Sequence, residues 1–297
     1  MTPISHDAPV AELVSQHIPR ASVVIPAHNE ERSISRLLRA LAPAHVEKRF
    51  EVIVVCNGCS DLTADVARAF GVEVLDLREP SKVNALAEGD RCATGRVRVY
   101  VDADVEISAN EVEALISAVE AGEVQAAGPR RIIPRDGVAR LVAWYYDVWE
   151  ALPSVREGLF GRGVIALSES GARRVRALPL AMNDDLAVSV AFESSERVVV
   201  ESASVVVHPP RTLRDHVRRR ARVVTGNIQA DGSSLRGPGT RTGARTLGEV
   251  VRRDPRLAGK VVVFLAVGLI ASARASRAVK AGDFVTWERD ESSRTSD

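Results

Sequence analysis

The chain predicts an α/β fold: a Rossmann-like, mostly parallel sheet flanked by helices, with a C-terminal helical extension. Two observations carry this. Short β-branched runs alternate with helical patterns through the first two-thirds of the 297 residues, and the spacing is that of strand–helix–strand units. The length suits one large domain plus an appendage, with enough chain to bury a substantial core.

The elements follow in order. Ser22–Pro26 (SVVIP) reads as a strand, and Glu30–Leu41 as a helix with Ile34, Leu37, Leu38 and Leu41 on one face. FEVIVV is the second strand and Asp61–Phe70 the second helix. VEVLDL is the third strand, followed by a helix over Lys82–Cys92. RVRVYV is the fourth, after which Ser108 or Asn110 caps a helix reaching Glu120.

Beyond Gly122 the pattern loosens. VAWYYDVWEALP gathers Trp144, Tyr145, Tyr146 and Trp149 on one helix; packing is the default reading and a sugar-stacking platform the alternative. Asp231–Gly243 is a linker by composition. The expected organisation is a mobile leader over 1–20, a main domain over 21–230, the linker over 231–243 and a helical extension over 244–297.

Charge and cysteine usage narrow the function classes. Lys plus Arg number 40 against 39 Asp plus Glu, so no global field favours nucleic acid. Three cysteines, Cys56, Cys59 and Cys92, are too few for a disulfide scaffold and fit a reducing cytosol. The first twenty residues have neither a basic start nor an apolar run, so no signal peptide is expected. Val261–Ala273 is thirteen mostly apolar residues, short of the roughly 20 that span a bilayer. Basic residues flank it on both sides, so a helix docked on the domain competes with an interfacial helix held by anionic lipid. Peripheral membrane contact through 257–280 is the preferred reading.

In a parallel sheet the ligand lies at the carboxyl ends of the strands. The loops after Val24–Pro26, Val55 and Val101 should therefore share one rim. PAHNE (Pro26–Glu30), CNGCSD (Cys56–Asp61), VDAD (Val101–Asp104) and NDD (Asn183–Asp185) supply its polar groups. Asp102 and Asp104, one residue apart at a strand's end, make a hard oxygen site suited to Mg²⁺ or Mn²⁺ carrying phosphate oxygens. Turn chemistry alone is the competing reading.

As a set, SVVIPAHNEE, CNGCSDLTADVA, SKVNALAEG, YVDADVEIS, GRGVIALSESGARR and NDDLAVSV resemble family 2 glycosyltransferases over about Ala21–Asn227. The resemblance implies the glycosyltransferase A fold, a nucleotide-diphosphate-sugar donor, Mn²⁺ or Mg²⁺, and usually an inverting transfer to a saccharide, lipid-linked or small hydroxyl acceptor. By position, Pro26, Ala27, Asn29 and Glu30 belong to the first nucleotide-binding loop. Asn57 stands where relatives usually carry an Asp that contacts the base. An amide donates as well as accepts, which leaves uracil and guanine open. Lys82 lies near the donor. Asp102, Ala103 and Asp104 match the D-x-D segment, with Asp104 on the metal and Asp102 nearer the ribose. Asp185 is the implied base, and Asp184 its neighbour and fallback.

The C-x-x-C admits a redox pair or half of a zinc site, but no second ligand pair stands at a workable spacing for zinc. Gly58 allows a tight turn, and Ser60 or Asp61 can cap the next helix. The cysteines are therefore read as packing residues in a nucleotide loop. Gly161, Arg162 and Gly163 lie where family members shape the acceptor pocket. Arg211, Arg214, Arg218 and Arg222 form one basic helical face, either solvated or binding diphosphate or an anionic acceptor. Arg219 and Val223 replace the Gln and Trp of processive members, which argues against a polymer synthase. His208 is a candidate third metal ligand. The rival reading is a haloacid-dehalogenase-type phosphotransferase with Asp102 as nucleophile, Asp104 as acid/base, and Asp184 and Asp185 as metal ligands. A non-enzymatic, membrane-docked sugar-binding scaffold is a third, disfavoured by the intact acidic segments. The expected location is the cytoplasm, peripheral on the inner face of the cell membrane.

Overall fold

The computed structural model describes residues 19–178, 191–232 and 243–280. Its centre is a seven-stranded sheet in the order β3-β2-β1-β4-β6-β5-β7. The strands are β1 (Ala21–Ala27), β2 (Glu51–Asn57), β3 (Glu73–Leu77), β4 (Val97–Val101), β5 (Ala126–Ile132), β6 (Val164–Leu167) and β7 (Arg197–Val206). The first four pair in parallel. β6 runs antiparallel to both β4 and β5, while β5 and β7 are parallel to each other.

Side chains alternate across the pleat, and two apolar layers result. Val23 and Ile25 of β1, with Val52, Val54 and Cys56 of β2, pack under α1 (Glu31–Val46), α2 (Thr63–Arg68) and α4 (Ala109–Glu120). Val24, Ile53 and Val55 face the other way, onto Ala85 and Leu86 of α3 (Lys82–Cys92). β1 is buried along its whole length, as expected of a central strand covered on both faces.

The boundaries depart from the sequence reading in instructive places. The first helix runs past Leu41 to Val46, through Pro43, because Ala42 and Ala44 are buried and hold the last turn against the domain. The second starts at Thr63, with Asp61 outside it accepting the Thr63 N–H at 3.1 Å. Ser108 is the cap of α4, in a capping box with Glu111.

The chain continues through α5 (Arg140–Ala151), α6 (Pro153–Glu157), α7 (Glu169–Arg176), α8 (Leu213–Gly232), α9 (Ala244–Arg253) and α10 (Ala258–Lys280). Asp231 and Gly232, expected in the linker, end α8 instead. The rest of that linker up to 242, the leader up to residue 18, and 281–297 lie outside the described residues.

The aromatic helix is packing first. Tyr145 and Tyr146 of α5 are buried, and Tyr145 stacks on Phe264 of α10 with centroids 4.9 Å apart. His216 of α8 is fully buried beside both, with ring centroids 4.4 and 5.1 Å away. Trp144 and Trp149 remain half-buried under Arg140 and Arg131, whose guanidinium carbons lie 4.6 and 4.2 Å from the ring centroids.

Candidate active site

The site lies where the strand order reverses. β2 and β3 extend the sheet to one side of β1 and β4 to the other, and such a switch point leaves a crevice beyond the carboxyl ends of the two central strands. The β1–β4 ladder stops at Val24 and Tyr100. Pro26, which has no N–H to offer, lies just past that point. The chain therefore parts there, with Pro26–Glu30 on one lip and Asp102–Asp104 on the other.

The first lip is stitched to the neighbouring loop. Asn57 is 4% exposed and donates its amide N–H to the Ala27 carbonyl at 2.8 Å. His28 Nδ1 meets the Asn57 carbonyl at 2.5 Å. Asn29, at φ 53°, accepts the Ser60 N–H at 2.6 Å and donates its own N–H to Cys59 Sγ at 3.3 Å. Glu30 is buried, and its N–H donates to Thr63 Oγ1 at 2.7 Å.

Gly58 makes the stitching feasible: its φ is +62°, and a Cβ there would lie 2.7 Å from the Pro80 nitrogen. Cys56 is buried and Cys59 half-buried, and both are free thiols. Their mutual hydrogen bond holds Cys59 below the ordinary thiol range and pushes Cys56 up, burial adding to the latter. The cysteines are thus built into the loop as contacts, as the packing reading expects.

The second lip is the tip of β4. Lys82, the first residue of α3, places Nζ 2.7 Å from Asp102 Oδ1. The Asp102 N–H donates to the Gly163 carbonyl at 2.7 Å. Gly163 has φ +66°, and a Cβ on it would stand 2.6 Å from Val105 Cγ1 and 3.2 Å from Asp102 Oδ2. The Gly161–Gly163 loop is therefore pressed against the D-x-D segment.

Two arginines hold that loop. Arg162, 3% exposed, donates to the carbonyls of Pro129 at 2.7 Å, Arg156 at 2.9 Å and Gly158 at 3.0 Å. Burial, then the nearby Arg131, lowers its pKa to about 9. Arg131 donates to the carbonyls of Phe160 and Gly161, both at 3.2 Å.

Asp104 is half-buried, with Ala103 buried behind it. Two residues on, Glu106 bridges to Val206 at the end of β7, which brings His208 alongside. His208 Nε2 contacts Glu106 Oε1 at 2.6 Å, and Arg36 approaches the same oxygen at 3.2 Å. Among the described residues no three His, Cys, Asp or Glu side chains form a metal-holding group, so Asp102, Asp104 and His208 are not a preformed cage. Two carboxylates still fit a hard divalent ion, because Mg²⁺-type sites commonly take one or two carboxylates and leave the remaining positions to phosphate oxygens and water.

Arg219 of α8 donates to the His208 carbonyl at 3.4 Å, and Arg222 lies half-buried further along α8. Asn183, Asp184 and Asp185 lie outside the described residues. Sequence reasoning missed Glu106 and included His28 only as part of the Pro26–Glu30 segment. Glu106 continues the every-second-residue acidic pattern after Asp102 and Asp104, a signal that was readable.

Residues 22–160 match the model of glycosyl transferase family 2. Glycosyltransferase AglD of Haloferax volcanii is 32% identical over 126 residues, 38% of this chain and 20% of the relative. The undecaprenyl-phosphate 4-deoxy-4-formamido-L-arabinose transferase of Edwardsiella ictaluri is 31% identical over 110 residues, 34% of each chain. The chain thus spans a fifth to about a third of these relatives.

Among solved structures, a mannosyltransferase from Pyrobaculum calidifontis in complex with GDP-Man and Mn²⁺ superposes with a TM-score of 0.54 at 20% identity, over 90% of this chain and 77% of that one. Glucosyl-3-phosphoglycerate synthase of Mycobacterium tuberculosis gives 0.55 at 22% identity, over 72% of this chain and 80% of that one. The fold is the glycosyltransferase A arrangement, which disfavours the phosphotransferase reading. Through residues 22–160 the chain resembles glycosyl transferase family 2, and the relatives and neighbours named above are sugar transferases and a glucosyl-3-phosphoglycerate synthase.

Proposed function

We propose that the chain moves a single sugar from a UDP- or GDP-sugar to a hydroxyl acceptor, with a divalent metal and inversion at the anomeric carbon. The observation that carries this is the β4 tip. Lys82 pairs with the Asp102 carboxylate, and the Asp102 N–H donates to Gly163 of the Gly161–Gly163 loop, so the donor-side lysine and the acceptor-side loop converge on one residue.

The roles follow from chemistry. Pro26, Ala27, Asn29, Glu30 and Asn57 form the base-side wall. Asp104, with Asp102 nearer the ribose and His208 as a further candidate ligand, would hold Mn²⁺ or Mg²⁺ at the diphosphate. Lys82 and Arg222 offer positive charge to the diphosphate. The metal, when bound, stabilises the departing diphosphate as a Lewis acid. An inverting transfer also needs a carboxylate to take the acceptor proton, and Asp185, with Asp184 as neighbour, is the candidate. Residues 21–230 act as the catalytic unit and 244–297 as its extension, working in the cytoplasm against the membrane. The pathway class is cell-envelope, exopolysaccharide or glycolipid synthesis, and the mannosyl and lipid-linked substrates named for relatives and neighbours support it.

The test separates binding from transfer. A panel of UDP- and GDP-sugars with Mn²⁺ should give turnover with at least one donor. Asp185→Asn should keep that donor's affinity and lose about a hundredfold or more in kcat, since only the proton acceptor is removed. Full turnover in Asp185→Asn would move the base elsewhere, and no nucleotide binding at all would end the transferase reading.

A further inference from the structure

We infer that the outer face of α10 is a docking surface for an anionic lipid membrane, with the helix lying along the membrane plane. The helix has two apolar faces. Its inner face packs on α5 and α8: Val267, Ala271 and Ala275 are buried, Phe264 stacks on Tyr145, and Lys260 Nζ pairs with Asp147 Oδ2 at 2.7 Å. The outer face carries Val262, Leu265, Leu269 and Ile270, which are 67, 47, 73 and 49% exposed. Spacings of three and four place Val262, Leu265 and Leu269 in one stripe, and Ile270, eight residues after Val262, borders it.

The remaining exposed large hydrophobics among the described residues, Val46, Leu62, Ile132, Leu141 and Val198, are scattered over other elements. A contiguous stripe, unlike such singles, marks an interaction surface.

Charge decides which partner. From Pro255 to Lys280 there is no Asp or Glu. Arg274 and Arg277 of α10, with Arg252, Arg253 and Arg256 just before it, are exposed. An apolar stripe bordered mainly by cations, with exposed Asp254 the one acid among them, is complementary to anionic headgroups over acyl chains. The helix is also apolar enough to span, with a mean hydropathy of 1.8 over its best window. Spanning, however, would strip the inner face from Tyr145 and break the Lys260–Asp147 pair. Lying in plane keeps both and sinks only the free stripe. At 1.5 Å per residue the stripe from Val262 to Ile270 is about 12 Å long.

The experiment is co-sedimentation of the full chain with phosphatidylcholine vesicles, with and without phosphatidylglycerol. Binding should be about tenfold or more tighter with the anionic lipid, and weaken in high salt. Leu265→Ser/Leu269→Ser should lower partitioning by about tenfold or more at an unchanged melting temperature, because both side chains are exposed. Absence of binding to anionic vesicles, or equal binding by wild type and the double variant, overturns the inference. So would a soluble dimer that the double variant dissociates and that ignores vesicles, which would assign the stripe to a second copy of the chain. None of these readouts depends on the sugar donor.

Discussion

Lys82 Nζ and Asp102 Oδ1 lie 2.7 Å apart, joining the first turn of α3 to the tip of β4 across the crevice. Both side chains are 31% exposed, so solvent screens the pair and its stability contribution is about 0.2–1 kcal/mol. On the proposed function its larger effect is on charge at the donor's diphosphate. Lys82→Ala should therefore melt within a few degrees of wild type yet raise the donor Kd about tenfold, or ~1.4 kcal/mol. Lys82→Arg should recover part of that affinity. Calorimetry beside thermal melts reads both quantities.

Gly163→Ala tests whether the acceptor-side loop and the D-x-D segment are one unit. The new Cβ would meet Val105 Cγ1 at 2.6 Å at a φ of +66°, so a loss of about 1–3 kcal/mol in stability is expected. Donor affinity should fall as well, because Asp102 must shift. Gly137→Ala is the control: its φ is +68°, but its Cβ would meet nothing within 4 Å. It should cost strain alone and leave donor affinity unchanged.

His216 supplies a pH dependence. Both ring nitrogens are buried without a hydrogen-bond partner, and burial, followed by Arg220 and Arg219, lowers its pKa to about 3 from 6.5. The folded state holds the neutral ring while the unfolded chain takes up a proton. Its stabilising contribution is therefore full above about pH 6.5 and is lost progressively as pH falls toward 3. His216→Phe should remove that slope, leaving the variant more stable than wild type by about 1–2 kcal/mol near pH 5. Urea denaturation at pH 7.5 and pH 5 measures it, and a variant with the wild-type slope would refute the assignment.

The first four strands and their helices were legible because each segment carries its own period. Ile34, Leu37, Leu38 and Leu41 announce a helix face, and Val52–Val55 a strand covered on both sides. The shared rim followed from parallel pairing, and the loop role of Cys56 and Cys59 from Gly58. Illegible were contacts made across long stretches of chain. Glu106 meets His208 only because β7 returns beside the D-x-D segment, and Arg162 reaches back to the Pro129 carbonyl on β5 as well as to those of nearby Arg156 and Gly158. Asn57 was readable as a departure from the commoner Asp, but its bond to the Ala27 carbonyl depends on how β1 and β2 align. Spacing along one segment cannot report such pairings.

The most direct test is calorimetric titration of UDP and GDP into the full chain with and without Mn²⁺, repeated on Asp104→Ala. Metal-dependent binding by wild type, weakened at least about a hundredfold (~2.7 kcal/mol) in Asp104→Ala, is the predicted result. Nucleotide binding of equal strength with or without metal, or undiminished in Asp104→Ala, would contradict a donor site built on the tip of β4.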